Sequence, residues 1–427
     1  MRVSGIAFLG GAASRLLPAS IPFRFFGAAA IYHLLAWIAL LAGATDVPRF
    51  AGGLGWPLAA LHLVTLGVLV MTAIGASLQL LPVATRRPVE SHRWPAVIWW
   101  IYTPGVAAVA LGMGLPAPIL LGGGALAVCI ALAGYAVLLA RNLLGADGMP
   151  VVIAHGSAAL GALFVALVTA ISLAGAYLGV PLLGRGMALD LHVTFAAYGF
   201  MGLLALGLSY ILVPMFALAA ASDERRARQS LGLALAALLL AAVGAAGVAP
   251  QPLLLAAVGT GAAAVALHWR QMNIALKTGM RRNLGRSVTL MKIAWACLAA
   301  SLAAGLGVAL NAPFEGMAAL FGLLLIGGWL LTFLLGVLQR IVPFLASMHR
   351  APGHRRPPTP SSLTAERPLA IHYACHLTAL SLLMGAIIAD SRWLAVAGAL
   401  TGGAGAVAFG SFLATVRRRM FAPEDTA

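Results

Sequence analysis

Apolar residues run along this chain in long blocks, and the polar ones collect between them. Twelve blocks reach the roughly 20 residues a helix needs to cross a hydrocarbon layer. They cover approximately residues 22–44, 57–82, 95–114, 118–140, 151–179, 190–219, 229–248, 252–272, 287–309, 316–343, 368–389 and 393–415. Turns at 115–117 and 249–251 each carry a proline and divide runs that would otherwise be too long. The pattern predicts an all-α integral membrane protein of about twelve transmembrane helices, one polytopic domain over 1–427. The Pro-, Arg- and Ser-rich stretch 344–367 predicts a solvated linker lying against anionic headgroups. No A-x-A site precedes a polar mature chain, so the first block reads as a retained helix.

Composition narrows the class further. Of 427 residues, 62% are hydrophobic and 9% charged, and the mean hydropathy is +0.98; globular domains carry about 25% charged residues. Soluble enzymes, disordered chains and nucleic-acid binders are excluded together. The net charge of +16 reports topology. Arg86, Arg87, Arg93, Arg141, Arg225, Arg226, Arg228, Lys277, Arg281, Arg282, Arg286, Arg350, Arg355 and Arg356 fall in one set of loops. Both termini (Arg2, Arg15, Arg24; Arg417, Arg418, Arg419) share that side, and the other side holds only Arg49, Arg185 and Arg392. Positive charge marks the cytoplasmic face. The expectation is a multi-pass protein of a bacterial-type inner membrane, embedded in the lipid bilayer with both termini cytoplasmic. Cys129, Cys297 and Cys375 are far apart in apolar runs and form no readable framework.

An internal repeat organises the blocks. Gly67-x7-Gly75-x6-Pro82 recurs as Gly199-x7-Gly207-x6-Pro214 and as Gly328-x7-Gly336-x6-Pro343. With 49 glycines and 23 prolines, chance gives about a third of one match. Each copy closes an even-numbered block, which predicts three pseudo-repeats of four helices over 21–148, 149–284 and 285–417. Glycines eight apart lie about 12 Å apart along a helix and admit a close neighbour. The proline is expected to end or kink its helix on the cytoplasmic side.

Ten histidines carry the candidate chemistry. His92, His349 and His354 lie beside arginines in polar loops and read as solvated. His268, next to Trp269 and Arg270, reads as an interfacial anchor. The other six, His33, His62, His155, His192, His372 and His376, fall in or just inside spans, where an ionisable group lines a cavity or binds something. His372 and His376 share a helix face at i, i+4. Neutral imidazole ligates haem iron and copper; the alternative at each position is a buried histidine bonded to a carbonyl. Ala59, Ala60 and Gly67 leave room near His62, with Tyr32, Phe195 and Tyr198 as walls. Asp190 reads as a carboxylate orienting His192 or as a helix N-cap. Glu315 reads as a first-turn acid, and Lys292 and Arg340 as cations that snorkel.

The segments PFRFFGAAAIYHLLAWIALLAG, WPLAALHLVTLGVLVMTAIGASLQLLPVA and LDLHVTFAAYGFMGLLALGLSYILVPMF, with twelve helices in three groups of four, resemble the catalytic subunit of the haem–copper oxidase superfamily. Within it they look most like the NnrS-type haem/copper membrane proteins associated with nitric oxide. That resemblance implies haem, and with it copper, held by histidine. Cofactor-binding candidates are His62, His33, His192, His372 and His376, with His62, His192, His372 and His376 as metal ligands. The family places copper histidines on the sixth and seventh helices and a histidine pair on the tenth; here blocks 229–248 and 316–343 contain none. The function implied is haem binding in respiratory or nitric-oxide-related redox metabolism, with electron donors or respiratory complexes as partners. Were the chain an enzyme, it would act on NO or O2 at haem iron. A twelve-span transporter of a metal or small solute is the alternative, and a cofactor-free assembly partner a third reading.

Overall fold

The computed structural model describes residues 17–88, 93–281, 283–350 and 358–422. Arg2, Arg15, His92, Arg282, His354, Arg355 and Arg356, named above, lie outside them. Hydrocarbon cannot satisfy a free N–H or C=O, so each apolar block closes its own backbone bonds as a helix. Among the described residues twelve helices are long and apolar enough to span a membrane. They are α1 Ser20–Ala42, α2 Trp56–Thr85, α3 Arg93–Gly114, α4 Pro118–Leu143, α5 Pro150–Ala176, α6 Arg185–Ala217, α7 Glu224–Ala245, α8 Pro250–Thr278, α9 Gly285–Ala309, α10 Met317–Arg350, α11 Glu366–Ile388 and α12 Arg392–Phe421.

Helices α2, α6 and α10 form the inside of the bundle. The apolar windows that define them are 67%, 89% and 61% buried, against at most 50% for the others. Each pairs with the helix before it, α1, α5 or α9. Hairpins α3–α4, α7–α8 and α11–α12 lie between these pairs, and contacts α4–α5, α8–α9 and α12–α1 close the circuit.

The glycines explain the inner pairs. A Cβ on Gly67 would lie 2.6 Å from Tyr32 Cβ, on Gly199 2.7 Å from Ala162 Cβ, and on Gly328 2.9 Å from Cys297 Sγ. The second glycines do the same one step along. Gly75 meets Phe25 at 2.9 Å, Gly207 meets His155 at 2.5 Å, and Gly336 meets Leu290 at 3.2 Å. The partners Phe25 and Tyr32, His155 and Ala162, and Leu290 and Cys297 are each seven residues apart, two turns of helix. One packing solution therefore occurs three times.

A second feature shares that register. α2, α6 and α10 each widen into a π-helix, over Leu63–Val70, Thr194–Gly202 and Leu323–Leu331. Each π segment ends three residues after the first glycine of its motif and twelve before the proline. The third π segment touches both others at the centre of the bundle. The looser turn frees carbonyls for side chains. Leu66 O accepts Tyr102 Oη at 3.0 Å and Gly327 O accepts Thr332 Oγ1 at 2.8 Å.

Two expectations need correction. Pro82, Pro214 and Pro343, expected to end or kink their helices, lie inside them, and the helices continue to Thr85, Ala217 and Arg350. Neighbouring helices make this tolerable in a membrane bundle. The 344–367 linker is accordingly shorter, because Leu345 and Ala346 are buried by continuing α10, and His349 lies on that helix. Glu315 precedes α10 instead of opening it, and meets Arg49 at 3.2 Å. Arg49 also bonds Asp390. That bond, then the charges of Asp390 and Glu315, raises the guanidinium pKa, and the three residues tie loops α1–α2, α9–α10 and α11–α12 together.

Gly67→Ala should lower the thermal midpoint in detergent, costing about 1–3 kcal/mol of overpacking. Gly27→Ala, on the exposed face of α1 with nothing within 4 Å of its Cβ, should be neutral or slightly stabilising.

Candidate functional site

The π segments wall a cavity of about 1330 Å³ reached by every span except α12. Its lining comes from the ends of odd-numbered helices and the starts of even-numbered ones, so it occupies the half of the bundle opposite the termini. Most of the surface is Leu, Ala and Val, with a stacked pair at the wall: the rings of Tyr198 and Trp329 are 5.5 Å apart and inclined at 30°. Tyr198 Oη bonds Ser301 Oγ at 3.0 Å, and Ser301 donates onward to Leu298 O at 2.8 Å. Arg185, Asp190, Gln251 and Asn311 are the exposed polar residues of the lining.

His62 and His192 are brought together on this cavity from α2 and α6. His62 is the residue immediately before the first π segment, and its Nδ1 bonds Leu58 O one turn back at 3.0 Å. His192 precedes the second π segment by two residues, and its Nδ1 reaches across to Ala166 O at 3.3 Å and Thr169 Oγ1 at 3.4 Å on α5. A carbonyl only accepts, so both rings carry their proton on Nδ1 and keep a lone pair on Nε2. A carbonyl bond to the far nitrogen is the arrangement that orients an imidazole ligand.

The remaining candidates do not line this cavity. His33, His372 and His376 gather on α1 and α11, each no more than 2% exposed. Their ring centroids are 6.3 Å apart for His33–His372 and 5.6 Å for His372–His376, with Phe409 4.8 Å from His372. His155 and His268 flank Tyr210 at 5.4 and 5.0 Å. His155 Nδ1 bonds Val151 O at 2.8 Å, whereas neither nitrogen of His268 has a partner.

His268 overturns the interfacial reading: it is 1% exposed, between Tyr210 and Trp295. Its neighbours Trp269 and Arg270 pointed to the interface. The informative signal was the helix face that it shares with Ala257, Ala264, Gln271 and Ala275, all buried; in a membrane, small and polar residues mark the inward face. His349 is half-buried, with Nε2 3.5 Å from Gln79 Nε2, and so is not a solvated loop residue. Asp190 neither orients His192 nor caps a helix, since Gly184 caps α6 and Asp190 is exposed in its second turn. Tyr32 does not wall the cavity: its ring seats Gly67 and its hydroxyl donates to Thr103 O at 2.5 Å. Phe195 and Ala59 are also outside the lining, whereas Ala60 and Tyr198 are in it. Arg340 donates to Leu284 O and lies 5.9 Å from the Phe216 ring.

Among the described residues no group of three or more His, Cys, Asp or Glu is arranged to hold a metal ion. No protein-family model and no curated protein matches this chain.

The cavity has a direct test. Gly322 lines it with nothing within 4 Å of its Cβ, so Gly322→Leu should leave the thermal midpoint unchanged or higher. Gly328→Leu, aimed at Cys297, should lower it.

Proposed function

We propose that this chain is a haem-binding protein of respiratory or nitric-oxide-related redox metabolism, in a bacterial-type inner membrane with both termini cytoplasmic. One observation carries the reading: imidazoles from two inner helices line one apolar cavity, each with Nδ1 tied to a backbone carbonyl. The donor set suits haem, which takes neutral imidazole as an axial ligand and needs an apolar slot. A cavity of 1330 Å³ exceeds the 300–1,000 Å³ of ordinary small-molecule sites. His62 and His192 would hold the iron, the stacked Tyr198 and Trp329 would wall the slot, and Arg185 would meet acidic groups at the mouth.

Bound haem iron would supply one-electron chemistry. The chain's own contribution is orientation and dryness. Leu58 O, Ala166 O and Thr169 Oγ1 fix the ring tautomers, and the apolar wall excludes water. The recurrence of glycine pairs and π segments supports reading 21–148, 149–284 and 285–417 as three quartets, the plan expected from the resemblance to oxidase subunits.

Protein purified in detergent from haem-replete cells should show a Soret band that shifts on reduction. His62→Ala and His192→Ala should each remove most of it, and His349→Ala should keep it. A colourless wild-type protein, or a band indifferent to both cavity histidines, contradicts the reading.

A further inference from the structure

The cavity needs an entrance, and the loop between α1 and α2 forms one side of it: Phe50, Ala51, Gly52 and Gly53 belong to the lining. This loop has a fixed part and a loose part. Ala44, Val47 and Pro48 are buried, and Ala44 and Val47 share an apolar cluster with Trp37, Leu383 and Ala386. At the far end Gly55 donates its N–H to Met113 O of α3 at 2.9 Å. Little holds the chain between these anchors. Among the described residues no carbonyl takes the N–H of Ala51, Gly52, Gly53 or Leu54. Gly52 and Gly53 have φ of +112° and +99°, and a Cβ on either would meet nothing within 4 Å. Backbone left to water and short of packing opens locally at low cost, and glycine absorbs the change in dihedrals.

Arg49 fastens this loose part. Its guanidinium bonds Asp390 in the α11–α12 loop and lies 3.2 Å from Glu315 in the α9–α10 loop. Those two loops flank the same mouth, since Asn311 and Ile387 also line the cavity. We propose that residues 49–54 are a lid on the side of the membrane opposite the termini, latched shut by Arg49, and that breaking its two ion pairs admits an apolar guest to the cavity. The chemistry of the latch suits that task. All three charged groups are exposed, and exposed pairs are weak and screened by salt. Such a latch holds the loop over the mouth and still releases it by thermal motion, as a lid must. The buried 44–48 stretch stays in place as its base. The proposal requires the cavity and not haem, so its test is independent of the Soret band.

The test measures entry. Thr65 lines the cavity on the first π segment. In the full chain carrying Thr65→Cys, in detergent, mass spectrometry reads the rate at which N-ethylmaleimide alkylates position 65. Cys129, a native residue of the lining, gives the same reading without that substitution. Arg49→Ala should raise both rates about threefold to tenfold, the range that two exposed ion pairs can hold. Asp390→Ala and Glu315→Ala should each have a smaller effect, and Arg49→Asp combined with Asp390→Arg should restore slow entry. Raising sodium chloride from about 0.1 M to about 1 M should speed entry where Arg49 is present and change nothing in Arg49→Ala. Cys375, half-buried and outside the lining, should react at one rate throughout, which separates an open lid from a loosened bundle. Entry indifferent to Arg49, an equal rise at Cys375, or a charge swap that fails to restore slow entry would overturn the proposal.

Discussion

Close approach of backbones at three glycine pairs is the constraint on which the rest of the molecule depends. Without a hydrophobic force between helices in lipid, association relies on contact distance and on interhelical polar bonds. Gly67 and Gly75, Gly199 and Gly207, and Gly328 and Gly336 give α2, α6 and α10 a flat strip against α1, α5 and α9. A side chain at any of them would push the pair apart. Because the strips share one register, the three inner helices reach the centre of the bundle in the same way, and their π segments face one another there.

That geometry links sequence to chemistry. A π turn widens the helix where the first glycine holds it against its outer partner, so the bundle is tight along the strip and open beside it. The cavity occupies the open part. His62 and His192 stand at the entry to two of the three π segments, and the bonds that orient them come from the backbone. The third π segment begins with Leu323 and brings no histidine; it contributes Trp329 to the wall instead. The three inner helices are thus alike in packing and unlike in chemistry.

The spans were legible because block length is a local pattern, and the glycine–proline spacing that marks the tight helix pairs is equally local. What the glycines touch was not, since Tyr32, Ala162 and Cys297 have no chemistry in common. The end of α10 was hidden by Pro343, which reads as a stop in one dimension and is accommodated by burial in three. The His62–Leu58 bond is a one-turn contact that sequence permits. The His192–Ala166 bond crosses between helices, and nothing near His192 announces it; Asp190, the obvious local partner, makes no bond to it. His268 was concealed by its neighbours: Arg270 is exposed, while Trp269 is half-buried and packs against the core as well.

The central claim is that α2 and α6 present His62 and His192 to one apolar cavity as ligands for a flat metal-bearing group. Electron cryomicroscopy of the protein purified from haem-replete cells tests this most directly. The account predicts plate-shaped density inside the cavity, in contact with Nε2 of His62 and of His192. Lipid or detergent tails filling that volume, or either imidazole turned out toward the bilayer, would contradict it.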